Sequence, residues 1–522
     1  MRAMKETPTT LLPERIHALL DPWVACQAQA IAIEEATDER RRLSYGELAQ
    51  ASQAAAQALR RAGLRAGDRL LVVCENSLAA VVLIFAASRL DAWVSLVNAR
   101  LSPREIDTFR EHSGARLCLF LGAGSSDAAQ HAQRLSAADI DLPGCGTLAM
   151  TPLCPDCQPE AVHAAGALQV AALIYTSGTS GQPKGVMLSH RNLAFVAENN
   201  RVLRGIHPGD RVYGVLPIAH VYGLTSIMLT TLHCGATLVL ASRFEPQNLS
   251  AALLHGGISV LHGVPAIYAK LLDWARRSGT SLRAPQLRIA QAGGAPLDQA
   301  LKDDFEQVFG VVLHNGYGMT ESAPTMAQTR LEAPRSDCSV GQAVPHLEIR
   351  IVDQDKGEDV APGGIGELCI RGANVMRGYY RDAEQTRTAI DAEGWLNTGD
   401  LVRQDPDGAL FVVGRSKELI IRSGFNVYPV EVEQVLNAHP LVVHSAVVGR
   451  SVAHNEEVVA YVEPVPASAL DVDTLMAYLR ERLSPYKLPS EIVLLEHLPA
   501  TPTGKILKAQ LRQQAARSVA PL

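Results

Sequence analysis

Between about residues 68 and 320, short mainly apolar runs at 70–73, 212–216, 236–241, 258–261 and 287–290 alternate with longer helix-like stretches. Runs of that kind are buried on both faces, and strands interleaved with helices imply parallel sheets covered on each side. The run 79–87, followed by Ser88, Arg89 and Asp91, predicts a buried helix too short to cross a bilayer. The pattern changes near 335. Strands at 347–352, 367–371 and 410–413 are joined by turns such as Pro362-Gly363-Gly364 and Asp405-Pro406-Asp407-Gly408, which predicts a small antiparallel barrel or sheet. After Gly414-Arg415 come a helix at 429–439, strands at 443–448 and 458–462, a helix at 473–483 and a strand at 492–495. The expected fold is α/β. A large N-terminal domain of parallel doubly wound sheets spans 1–414, with a β-barrel-like subdomain at about 335–414, and a small mobile α+β domain spans 415–522.

Bulk composition narrows the function classes. The 522 residues carry 48 Lys+Arg against 54 Asp+Glu, a formal net charge of −6. Neither a basic nucleic-acid footprint nor a polybasic membrane patch is present. The segment Met1-Arg2-Ala3-Met4-Lys5-Glu6-Thr7-Pro8 lacks the apolar core of a signal peptide, and Ala520-Pro521-Leu522 does not match a peroxisomal address. Nine cysteines spread thinly suit a reducing compartment, so the cytoplasm is expected. Cys154 and Cys157 form a lone CxxC with Cys145 and His163 nearby. Their irregular spacing in a Pro/Gly-rich stretch favours a surface connection over a zinc site. Oligomeric state is not legible, and a homodimer stays open.

The richest chemistry lies in Tyr175-Thr176-Ser177-Gly178-Thr179-Ser180-Gly181-Gln182-Pro183-Lys184-Gly185, directly after an apolar run. Glycines let successive N–H groups point into one concavity, hydroxyls add donors, and Lys184 adds a mobile charge; together these suit a polyphosphate. An ordinary P-loop is excluded by spacing, because five residues on from Gly178 stands Pro183, and Lys184 is followed by Gly185.

Further motifs follow in order: His220-Val221-Tyr222-Gly223, Gly293-Gly294-Ala295-Pro296, Asn315-Gly316-Tyr317-Gly318-Met319-Thr320-Glu321-Ser322, Thr398-Gly399-Asp400, Gly414-Arg415-Ser416-Lys417-Glu418 and Pro502-Thr503-Gly504-Lys505. With the opening loop they resemble the adenylate-forming superfamily, which includes acyl- and aryl-CoA synthetases, amino-acid adenylation domains and beetle luciferases. The resemblance runs from about residue 43 to 505. It implies a ligase using ATP, Mg²⁺ and CoA: a carboxylate attacks the α-phosphate of ATP and releases pyrophosphate, then the CoA thiolate displaces AMP. A carboxyl group with a pKa near 4 is already ionised at neutral pH. The barrier is therefore the approach of one anion to another, and catalysis is positioning plus positive charge.

By that resemblance Thr176, Ser177, Gly178, Thr179, Ser180 and Lys184 hold the phosphates, Thr179 and Glu321 are the metal-side ligands, and Thr320 donates to the α-phosphate. Asn315 reads the adenine edge, Gly294, Ala295, Pro296 and Gly316 line the base, and Tyr317 stacks on it. Asp400 accepts both ribose hydroxyls with Arg415 in support. Lys505 bridges the incoming carboxylate and the α-phosphate, then leaves as the C-terminal domain turns about Lys417. Ser423, Gly424 and Phe425 then line the CoA passage, and His220 gates or orients the acyl group.

The acid is less legible. Family mapping places Tyr222, Ser226, Gln291, Gly294, Gly316, Gly318, Pro324 and Thr325 around it. No acidic residue lies between His220 and Cys234, which argues against a free amino acid. The glycines leave room for a flat or extended acyl group. Tyr222 and Ser226 match hydroxycinnamate-activating ligases, a fatty acid is equally open, and Arg288 is a candidate partner for a second carboxylate. Two rival functions remain: an acyl-AMP ligase loading a carrier protein in trans, and a non-catalytic nucleotide-binding descendant, which would be expected to have lost Lys505, Glu321 or Asp400.

Overall fold

The computed structural model describes residues 12–36, 38–177, 183–354, 356–423, 425–452, 455–466, 468–500 and 506–517. Two large mixed sheets form the body. One orders seven strands as Ala138–Leu142, Gly146–Met150, Leu117–Phe120, Arg69–Cys74, Trp93–Asn98, Val170–Ser177 and Pro183–Ser189. Its three central pairings, joining the four strands from Leu117–Phe120 to Val170–Ser177, are parallel, as apolar runs buried on both faces require. The other sheet has nine strands. Its parallel centre joins Ile31–Glu35, Thr237–Leu240, Arg211–Gly214, Val260–Gly263, Ile289–Gly293 and Leu313–Gly318.

Helices fill the space between. Leu78–Arg89 begins where the Ser77 side chain accepts from the Ala80 N–H, and eleven of its twelve residues are buried. An amphipathic pattern is absent there because the helix is wrapped on all sides. His190–Arg204 starts with a capping box between Ser189 and Asn192 and stops at Gly205, whose φ of 54° suits a left-handed cap. Asn192 then reaches out of its helix, its Nδ2 donating to the Ala373 and Val375 carbonyls at 2.8 and 2.9 Å.

The small subdomain takes the sheet form: Glu348–Val352, Ile365–Arg371, Leu396–Gln404 and Leu410–Arg415 pair antiparallel in that order. Beyond it, Val442–Val452, Asn455–Pro464 and Glu491–Leu494 make a three-stranded sheet backed by Pro429–Asn437, Val472–Arg480 and Lys508–Arg517. Its apolar residues, from Ile420 to Ala515, form two clusters of their own. No helix among the described residues is long and apolar enough to cross a membrane. None of their His, Cys, Asp and Glu side chains group in threes or more to hold a metal. Cys157 is instead buried beside Arg69, whose Nη2 reaches its sulfur at 3.4 Å.

Candidate active site

The loop singled out in the sequence is the turn of a hairpin. Val170–Ser177 returns as Pro183–Ser189, with Thr176 and Lys184 opposite each other. Gly178, Thr179 and Ser180 lie outside the described residues, as does the side chain of Ser177. Lys184 Nζ stands 4.7 Å from the ring centroid of Tyr379, and the Tyr379 hydroxyl donates to Glu321 Oε1 at 2.9 Å. A cation, an aromatic face and a buried carboxylate are thereby linked. Main-chain bonds hold the set in place: Tyr380 N donates to Gly185 O at 2.7 Å, and Met376 N to Glu321 O at 2.9 Å. Burial and the Glu321 carboxylate push the Tyr379 phenol well above its usual range, so it remains a donor. Sequence reasoning missed Tyr379. Its one local signal was the aromatic pair after Gly378 in an otherwise polar stretch.

A second constellation joins Tyr317, Asp400 and Arg415. Asp400 and Arg415 face each other across an antiparallel pair, and Arg415 Nε lies 2.9 Å from Asp400 Oδ1. The Tyr317 hydroxyl donates to Asp400 Oδ2. Burial and Asp400 together hold this phenol well above its ordinary range. Asp400 is 2% exposed, and Gly399 before it takes a φ of 66°, a turn that glycine makes without strain. Thr320 and Glu321 are buried in a single turn, Thr320–Ser322, three residues beyond Tyr317. Gly294 follows the strand Ile289–Gly293 with a φ of 80° and leads into Ala295 and Pro296. Asn315 is committed elsewhere: Nδ2 donates to the Cys338 and Ser339 carbonyls at 3.1 and 3.3 Å, and Oδ1 accepts from Gly316 N at 3.0 Å. To read an adenine edge it would have to exchange one of those partners.

Of the expected acyl residues, Tyr222, Ser226, Gln291 and Thr325 lie in a buried polar layer. Tyr222 and Ser226 lie on a π-helical segment, Tyr222–Leu229, all of it buried, an irregularity common at functional sites. Ser226 Oγ is 3.0 Å from Thr325 Oγ1, and Gln291 Nε2 donates to Gln328 Oε1 at 3.1 Å. Arg204 donates to the same Gln328 oxygen at 3.1 Å and to the Ser226 carbonyl at 2.7 Å. Tyr222 is edge-on to His262 at 6.4 Å. Burial pushes the Tyr222 phenol up to about 12 and pulls Arg204 down to about 10. Neither Arg204 nor Gln328 was legible as a site residue. His220 is exposed, and its Nδ1 accepts from Tyr222 N at 3.2 Å.

Two expectations about the acyl pocket change. A β-carbon on Gly316 would lie 2.8 Å from Gln291 Nε2, so this glycine clears a side chain already in place. On Gly318 it would lie 2.1 Å from the Pro324 carbonyl oxygen; that glycine serves backbone packing, not room for an acyl group. Gly318→Ala is therefore expected to lower stability by at least about 2 kcal/mol. A thermal melt matching that of the unchanged protein, with only the KM for acid altered, would refute this. Arg288 also loses its tentative role, because Nε and Nη2 clasp both carboxylate oxygens of Asp210.

In the C-terminal part, Ser423 follows the strand Ile420–Arg422 and Phe425 opens its antiparallel partner Phe425–Val427, with Phe425 55% exposed and stacked on Tyr486 at 4.8 Å. Gly424 and Lys505 lie outside the described residues. Around Lys417, Ser416 Oγ donates to the Gly399 carbonyl at 3.2 Å and to Glu367. Glu418 instead pairs with Lys508 at 3.2 Å, which also reaches Glu433 at 2.7 Å.

Comparison with known proteins decides the family. Residues 20–380 match the model for AMP-binding enzymes, and 431–505 match that for the AMP-binding enzyme C-terminal domain. This chain belongs to the AMP-binding enzyme family. Among its curated relatives, 4-coumarate–CoA ligase 1 of Oryza sativa subsp. japonica is 33% identical over 498 residues, covering 90% of this chain and 87% of that one. A feruloyl-CoA synthase of Amycolatopsis sp. is 33% identical over 478 residues, covering 90% and 94%. The crystal structure of ATP-bound MatB from Rhodopseudomonas palustris superposes with a TM-score of 0.83 at 29% identity, covering 96% of this chain and 98% of that one. Apart from Tyr379, the residues of both constellations stand in the motifs that carry the resemblance.

Proposed function

We propose that this AMP-binding enzyme is an ATP-dependent carboxylic acid–CoA ligase acting on aryl, hydroxycinnamate-like acids. The observation that carries the reading is the strand end Leu313–Gly318 running into the turn Thr320–Ser322. At one end Tyr317 binds the Asp400–Arg415 pair; at the other Glu321 joins Tyr379 and Lys184. One short segment thus presents a ribose-type acceptor and a phosphate-type cation on either side of a buried turn. The relatives named above, ligases of coumarate and a synthase of feruloyl-CoA, support the substrate class.

In the first step the acid's carboxylate oxygen bonds to the α-phosphorus of ATP and the bond to pyrophosphate breaks. Lys184, with Thr176, Ser177, Gly178, Thr179 and Ser180, would steady the departing charge, and Thr320 would donate to the α-phosphate. Asp400 would accept from the ribose hydroxyls, and Arg415 and Tyr317 keep its carboxylate oriented. Glu321 offers a hard oxygen to Mg²⁺, which supplies charge neutralisation at the phosphates when bound. Tyr379 orients that carboxylate. Lys505 would bridge the two reacting anions.

In the second step the C-terminal unit, taken as 415–522, would turn about Lys417. Ser423, Gly424 and Phe425 would then face the incoming thiol, whose sulfur bonds to the acyl carbon as AMP departs. The nine cysteines, all free, suit the cytoplasm as its compartment. The test is pyrophosphate release from ATP and Mg²⁺ with 4-coumarate, ferulate, benzoate and a fatty acid, with and without CoA. Release with the aryl acids and CoA-dependent AMP formation are expected. No release with any acid would defeat the reading.

A further inference from the structure

The helix His190–Arg204 ends on a buried cation that no carboxylate among the described residues pairs. Arg204 is 3% exposed, and its guanidinium donates only to neutral oxygens, the Ser226 carbonyl at 2.7 Å and Gln328 Oε1 at 3.1 Å. Among the described residues it forms no ion pair with a carboxylate. A buried guanidinium held by dipoles alone is costly, and it draws any acceptor that can reach it.

Its surroundings are short of the same thing. His262 is fully buried, and neither ring nitrogen has a hydrogen-bond partner among the described residues. Gln328 Nε2 is likewise buried and without a partner among the described residues, while the amide oxygen accepts from both Arg204 and Gln291. His262 and Gln291 are neighbours in parallel register and share one face of the sheet. Burial and Arg204 keep the imidazole neutral, so it carries one N–H. The layer therefore holds the guanidinium, an amide N–H₂ and a ring N–H, against an unpartnered oxygen, Asn200 Oδ1, whose own amide nitrogen donates to Ser226 Oγ and Thr230 Oγ1 at 3.4 Å. Donors outnumber the free oxygen acceptors.

We propose that this layer recognises a hydrogen-bond-accepting oxygen at the end of the acid remote from its reacting carboxylate, a second carboxylate or a phenolic hydroxyl, with Arg204 as the residue that selects for it. The proposal rests on the ligase reading above for the identity of the pocket, and on the link from Arg204 through Ser226 and Gln328 to Thr325 and Gln291. Arg204 touches no reacting atom. It is a specificity residue, and it takes the place that Arg288 vacates by pairing with Asp210.

Three rigid aryl acids of equal length, bearing a para methyl, hydroxyl or carboxyl group, test the proposal through kcat/KM for AMP release. At least one oxygen-bearing acid is expected to exceed the methyl acid by about 10-fold or more, since a site built to hydrogen-bond rejects the analogue lacking the group. Arg204→Met should collapse that ratio, and Arg204→Lys should restore part of it. A methyl acid used as well as both others by the unaltered enzyme overturns the proposal, whether or not the variants fold. So does a preference that survives Arg204→Met. If none of the acids releases pyrophosphate, the ligase reading fails. Calorimetric dissociation constants of the three acids then decide this one: tighter binding of an oxygen-bearing acid supports it, and equal binding sinks it.

Discussion

Lys505→Ala is expected to abolish adenylate formation while leaving most of the thioester step intact. The reasoning starts from charge. The acid arrives already ionised and must approach a phosphate that is also anionic, so no proton transfer can relieve the barrier and positive charge between them has to. Removing one such donor in a dry site typically costs about 10²–10³-fold in rate, and an ammonium bridging two anions belongs at the upper end. Isotope exchange between pyrophosphate and ATP reads the first step by itself. Supplying synthetic acyl-AMP with CoA reads the second, in which the lysine is expected to have withdrawn. A variant that loses both steps equally would contradict the division of labour between two orientations of the C-terminal unit.

Asp400→Ala should weaken nucleotide binding by about 30- to 150-fold, the equivalent of about 2–3 kcal/mol for hydrogen bonds from ribose to a charged acceptor. The structure adds a second cost. Asp400 is the common acceptor of Tyr317 and Arg415, so its loss leaves a buried phenol without its partner and a guanidinium without its anion. Because 45% of the Arg415 side chain is exposed, water can compensate that group, and the stability loss should stay near about 1–3 kcal/mol. Asp400→Asn keeps an acceptor for Tyr317 and should recover most of the stability but little of the affinity. Calorimetric titration with ATP, paired with thermal melts of both variants, separates the two effects. Unchanged ATP affinity in Asp400→Ala would remove the residue from the nucleotide site.

The contrast between the two halves of the site shows what a linear string can carry. Tyr317, Thr320 and Glu321 sit within five residues, and Asp400 and Arg415 face each other across one hairpin. Their chemistry is local, so motif and turn signals reach it. Strands such as Arg69–Cys74 and Val260–Gly263 and the buried helix Leu78–Arg89 were legible for the same reason: apolar runs leave few alternatives. Tyr379 lies 58 residues from the Glu321 it holds, and Arg204 lies 124 from Gln328. Only the packing of separate elements brings those pairs together. Gly318 marks another limit. A glycine demanded by a neighbouring carbonyl and one demanded by a ligand look alike in sequence, and only the distance to Pro324 distinguishes them.

The bonds around Lys417 carry a kinematic consequence. Ser416 is fastened to the body through Gly399 and Glu367, whereas Glu418 is fastened to the tail through Lys508. Between those moorings stands Lys417, in a short turn that Leu419 N closes onto the Arg415 carbonyl at 3.1 Å. If the cap swings as proposed, about a hundred residues are steered by the two torsion angles of Lys417, and the choice between making an adenylate and consuming it is a choice between two settings of that one joint.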